Sequence, residues 1–297
     1  MKHSWKITSI LIIMFILAQL IGIFVISKYS PEVQQVTVNE TIVNVTSYNL
    51  PYGLEPPQQN ANINIISIII SFALAITLML ILMKYKIELF LKLWFAAVIV
   101  LAISTTLFSF LKPYAYASLI AVIISLPLAY LKIIKRNIII HNLTELLIYP
   151  GIAAIFVPLL NVKTTIILLI LISIYDMYAV WHAKFMQKMA KYQISKLKIF
   201  SGFFIPYIQK ADLSKFKNQK RGKVTVAILG GGDIVFPLIF SGVLLNFSGL
   251  LPAILVTLGA TLSLFVLFLF SEKGKFYPAM PFITIGCLVG FVAGLII

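Results

Sequence analysis

Asp176 and Asp233 lie well inside long apolar runs of this 297-residue chain, whereas its other seven acids fall in polar segments or at the ends of such runs. A carboxylate at the centre of a bilayer costs about 2.5 to 3.5 kcal/mol on insertion scales, so an intramembrane acid is a functional residue by default. Counted as helix at 1.5 Å per residue, the eight residues from Asp176 to Lys184 and the ten from Lys223 to Asp233 put both acids roughly 12 to 15 Å from basic flanks. Two carboxylates facing each other at matched depth share one proton. The charged member can then take a proton from water while the neutral member polarises a carbonyl, which is the division of labour needed to hydrolyse a peptide bond. That chemistry needs neither metal nor cofactor. His3, His141 and His182 all sit at basic flanks, and neither a His-Glu-x-x-His zinc motif nor a Gly-x-Ser nucleophile occurs. Other readings of the pair remain open at this point. The alternatives are a packing hydrogen bond, an ion pair in a helix bundle, for which neither run offers an internal Lys or Arg, and a water-filled path in an ion channel or proton-coupled transporter.

The elements that must position these acids are membrane helices. The chain is 61% hydrophobic and only 11% charged, against about 25% charged in ordinary soluble domains. Apolar runs near the 20 residues that cross a bilayer recur at Ile7 to Ile26, Ile63 to Met83, Leu93 to Leu111, Tyr114 to Leu131, Asn142 to Leu160, Thr164 to Trp181, Val224 to Phe247, Leu250 to Phe270 and Ala279 to Ile297. In hydrocarbon every backbone group must be paired internally, and the runs lack the alternation of a barrel, so an all-α protein of nine transmembrane helices forming a single membrane domain is expected. The first run exceeds the length of a signal-peptide core, which predicts a retained helix. The placement of the chain's basic residues on one side of the membrane accounts for the +15 net charge without nucleic acid. With a cytoplasmic N-terminus and nine crossings, all 24 Lys and Arg except Lys28, Lys112 and Lys163 fall inside, a positive-inside pattern that sends the C-terminus outside. Single Cys287 excludes a disulfide framework.

Two connections are long. The external one, 27–62, carries the sequons at Asn39 and Asn44; the cytoplasmic one, 182–223, holds eleven basic residues against the single acid Asp212. Apolar and basic residues alternate over Phe185 to Ile199, which predicts an amphipathic segment on the headgroups. Asn142, three residues before Glu145, reads as a capping box that opens the fifth helix.

Three short motifs then stand in order: Tyr175-Asp176 in the sixth run, Gly230-Gly231-Gly232-Asp233 in the seventh and Pro278-Ala279-Met280-Pro281 at the ninth. Together they resemble the YD, GxGD and PALP motifs of the presenilin and signal peptide peptidase family, with Met280 in place of the family's leucine. The resemblance implies a presenilin-like fold and an aspartic endopeptidase that cuts transmembrane peptides or single-span membrane proteins in the bilayer. It implies that Asp176 and Asp233 are the catalytic dyad, that Tyr175, Gly230, Gly231 and Gly232 shape the site, and that Pro278, Ala279, Met280 and Pro281 border the substrate. The sequence leaves self-association into a homo-oligomer open. Glycines allow close backbone approach and prolines interrupt helical pairing, so main chain near Ala279 or in the Lys223 to Val226 stretch is available to an extended substrate by strand addition.

Overall fold

The computed structural model describes residues 4–38, 41–47, 50–53, 67, 70, 71, 74, 77, 78, 81, 82, 85, 88–135, 137–182, 201–207, 225–272 and 277–297. In chain order these form α1 (Trp5–Ser27), β1 (Glu32–Val38), β2 (Thr41–Ser47), α2 (Glu88–Leu111), α3 (Ala117–Ile134) and α4 (Ile138–Phe156), which continues as a 3₁₀ turn over Val157–Leu159. Then follow α5 (Val162–Trp181), β3 (Gly202–Tyr207), β4 (Thr225–Gly230), α6 (Gly231–Ser248), α7 (Leu250–Phe270) and α8 (Met280–Ile296). Among the described residues seven helices are long and apolar enough to cross a membrane, and α8, with 17 residues, is a shorter apolar helix. The expected second span, 63–83, lies largely outside the described residues, as do Asn39, Asp212 and the amphipathic segment expected over 185–199.

Helix α6 is the centre of the assembly. It touches α1, α4, α5, α7 and α8, and Ile234, Leu238, Phe240, Val243 and Leu244 along it are fully buried. Helices α7 and α8 meet backbone to backbone. A Cβ on Gly286 would run into the Gly259 carbonyl, and one on Gly290 into that of Leu255, so only glycine permits this approach. Helix α5 opens on a true capping box. The Asn161 side chain accepts from Thr164 N–H at 2.9 Å while Thr164 Oγ1 accepts from Asn161 N–H at 2.9 Å.

Three expectations need correction. The described fold is mainly helical, as expected, but is not purely α, because two antiparallel hairpins are added: β1 with β2, in the register Val38 to Thr41, and β3 with β4, in the register Gly202 to Gly230. The seventh helix does not begin at Val224. Thr225–Gly230 is strand β4, and α6 starts only at Gly231, so the depth of Asp233 is not that of a continuous helix. Nor does Asn142 cap the fifth helix. That helix begins at Ile138, capped by Asn137, whose side chain accepts from Ile139 N–H at 2.9 Å. Glu145 therefore stands a full two turns inside α4, fully buried, with its Oε1 2.6 Å from Lys132 Nζ of α3. The helix could start earlier because the run Ile138-Ile139-Ile140 is already apolar, and Lys132 supplies the countercharge that lets an acid stay inside.

Candidate active site

Asp176 projects from the last turns of α5 and is 4% exposed. Its Oδ2 accepts the backbone N–H of Met280 at 3.1 Å, and the N–H of Ala279 also points to the carboxylate. Those donors are free because they open α8, where the first N–H groups of a helix have no intrahelical acceptor. Pro281 sits in the first turn of α8, where its missing N–H costs nothing. Pro278 is buried and brings the chain into the helix, while Met280 is 3% exposed. Further along the same pair of helices, Ser173 Oγ and Thr284 Oγ1 lie 2.8 Å apart and lace α5 to α8. The Pro-Ala-Met-Pro segment thus holds one aspartate by main chain.

Asp233 is the third residue of α6, half-buried, and reaches back to the N–H of Gly230, the residue that caps the helix. A carboxylate in the first turn also meets the positive end of the helix dipole. It lies close enough to Asp176 for the two charges to interact. The three glycines before it are not equivalent. A Cβ on Gly231 would stand 2.6 Å from Ser201 Oγ and 3.1 Å from Tyr149 Cε1, whereas one on Gly232 would meet nothing nearer than Phe236 Cε2 at 3.5 Å. Gly230 ends β4, and its added Cβ would press on Asp233 itself at 3.2 Å. Four residues after Asp233, Pro237 lacks the N–H that would have paired with the Asp233 carbonyl, so that carbonyl has no i+4 donor in the helix. Tyr175 is half-buried and adds its ring beside Asp176.

The sequence-predicted residues therefore converge: the Tyr-Asp pair of α5, the Gly-Gly-Gly-Asp corner of β4 and α6, and the start of α8. Others went unnoticed in the sequence. Gln19, fully buried in α1, donates through Nε2 to the Ile234 carbonyl at 2.9 Å, one residue past Asp233. Tyr149 of α4, also fully buried, packs edge-on against Phe203 with centroids 5.4 Å apart and presses its ring on Gly231. For Gln19 the signal was present, since a lone amide in an apolar span rarely lacks a role. Tyr149 gave none, because a tyrosine in such a span reads equally well as packing.

Residues 23–297 match the family model described as signal-peptide peptidase, presenilin aspartyl protease. Two solved structures of presenilin family intramembrane aspartate proteases share the fold. One, in space group C222, has a TM-score of 0.62 at 20% identity over 97% of this chain and 98% of that one. The other, in space group P2, has a TM-score of 0.60 at 19% identity over 96% of each chain. No curated protein matches the sequence. A family match over nearly the whole length, on a chain built of bilayer-spanning helices, makes this a multi-pass membrane protein of the signal-peptide peptidase and presenilin aspartyl protease family, an aspartic endopeptidase.

Proposed function

We propose that Asp176 and Asp233 are the catalytic dyad and that the protein hydrolyses peptide bonds within or near the transmembrane helices of membrane-protein substrates. The observation that carries this reading is the bond from Met280 N–H to Asp176, because it joins two of the three motifs at one point, beside the third. One carboxylate takes a proton from water as its oxygen attacks the scissile carbonyl carbon. The other gives its proton to the carbonyl oxygen. Collapse of the tetrahedral intermediate breaks the C–N bond, and the departing nitrogen takes a proton from the dyad. Rate should follow a bell in pH, with two apparent constants that belong to the coupled pair.

An extended substrate fits the outer edge of β4, which carries no further strand among the described residues. Among the described residues the sheet has two strands, and alternation along an antiparallel pair decides which groups face out. Phe204 turns both its N–H and its C=O away from β4, so its partner Ile228, and Val226 two residues before it, direct theirs to the opposite edge. Their side chains are exposed, whereas Ala227 and Leu229 are buried. A substrate strand pairing with Val226 and Ile228 would run toward the dyad through the Gly230 corner.

Nine crossings, with the N-terminus inside and the C-terminus outside, complete the reading, the expected second span and α8 adding to the seven long helices. At roughly 1.5 Å per residue the 17 residues of α8 fall at the lower limit of a crossing helix. Purified protein in detergent, given a single-span peptide, should yield two fragments cut within or near the apolar segment. An intact peptide, together with cation flux through reconstituted protein, would instead favour a transporter.

A further inference from the structure

Strand β3 has no strand on its outer edge among the described residues, yet its edge is not open. Gly202 N–H points to Glu145 Oε1 at 3.4 Å, and Gly202 C=O lies 2.8 Å from His141 Nε2. Phe204 N–H donates to Asn142 Oδ1 at 3.0 Å, and Asn142 Nδ2 donates to Phe204 C=O at 2.8 Å. The next outward residue, Pro206, has no N–H at all. Three side chains from little more than one turn of α4 thus occupy all four outward groups of Gly202 and Phe204.

Lys132 makes this arrangement possible. Its ammonium reaches Glu145 Oε1 at 2.6 Å, Thr144 Oγ1 at 3.5 Å and His141 Nδ1 at 3.4 Å. An ammonium only donates, so Nδ1 must be the acceptor and the ring proton must sit on Nε2, where it serves the Gly202 carbonyl. Burial of both charges, with side chains 4% and 0% exposed, is costly and unnecessary for a helix contact that apolar residues could make. The network meets the candidate site at this same end of β3, its start. Ser201 C=O accepts Gly231 N–H at 3.3 Å, and Tyr149, one turn along α4 from Glu145, presses on the same glycine.

We propose that His141, Asn142 and Glu145, held by Lys132, form a clamp that takes the place of a third strand on β3, making them positioning residues for cleavage. The clamp has two consequences. It closes β3 to strand addition, leaving β4 as the edge for substrate. It also fixes the angle at which β4 enters the Gly230-Gly231 corner, and so the register of the bound peptide relative to Asp233. This inference rests on the strand-addition reading given above.

The test is the distribution of cleavage sites, read by mass spectrometry of the products from one single-span substrate. Asn142→Leu removes both bonds to Phe204 at similar volume, and His141→Leu removes one bond at the end of the strand. In each, fragments cut one or two residues from the main site should rise about two- to tenfold relative to the main product. A variant that is merely less stable lowers all products together and leaves their ratio unchanged, so a partly folded preparation still gives an answer. Cleavage by the wild-type protein with wild-type product ratios in both variants would overturn the clamp alone. No cleavage by the wild-type protein would overturn the protease reading beneath it.

Discussion

Met280 serves Asp176 through its main chain, so its side chain and its N–H can be tested separately. Met280→Leu keeps the volume and should retain activity. Met280→Pro deletes the N–H at the first residue of α8, and because Ala279 before it is helical (φ −85°, ψ −34°) it also pushes that residue toward an extended backbone. Loss of a hydrogen bond to a charged group should lower turnover about ten- to hundredfold, measured against the Leu variant. Near wild-type turnover by the proline variant would mean that this bond does not hold the carboxylate in its working position. At this scale the sequence was most legible for charges: Asp176 and Asp233 stand out because nothing around them explains them. Glu145 was misread because Asn142, three residues earlier, offered a ready local role. Its real partner, Lys132, lies on another helix, and a contact between helices leaves no periodic mark on either one.

The elements were legible where length and hydropathy decide, and illegible where a short apolar run had to be assigned. Thr225 to Gly230 continues without a break into the apolar α6, and a short fully apolar run reads equally as strand or helix. The β-branched Thr225, Val226 and Ile228 were the available sign, as was the alternation of Val43 and Val45 with Asn44 and Thr46 in the other hairpin. Two predictions belong here. Lys132→Met leaves Glu145 buried without a countercharge and should cost about 3 to 5 kcal/mol of stability. Adding Glu145→Gln, which neutralises the acid but keeps an acceptor for Gly202, should recover much of that loss in thermal unfolding. If the double variant melts below the single one, the pair is not a compensated charge. Between α7 and α8, Gly286→Ala meets the Gly259 backbone carbonyl as well as Ser263 Oγ, and the backbone cannot swing aside. It should lower the melting temperature clearly, while Gly232→Ala, with its nearest neighbour at 3.5 Å, should leave melting almost unchanged.

For the whole molecule, the distribution of Lys and Arg carries the topology, and a reporter fused after Ile297 should therefore read as external. A cytoplasmic signal there would overturn either the orientation or the odd number of crossings. The order of the three motifs along the chain was enough to suggest the family, and the structure sets them at the last turns of α5, the β4 to α6 corner and the start of α8. What the order does not carry is how the site is braced from behind by α1 and α4, through Gln19 and Tyr149, since those contacts depend on three-dimensional packing of otherwise ordinary spans. The central claim is that two carboxylates act as one unit on a peptide bond in the membrane. Its most direct test is cleavage of a single-span substrate by reconstituted Asp176→Asn and Asp233→Asn proteins, with folding checked by thermal melting. Asparagine keeps the size and hydrogen bonding of aspartate but cannot exchange the proton. Each variant should remain folded and lose cleavage by about 10³-fold or more, the upper part of the range for a general acid or base. Substantial turnover by either folded variant would contradict the dyad.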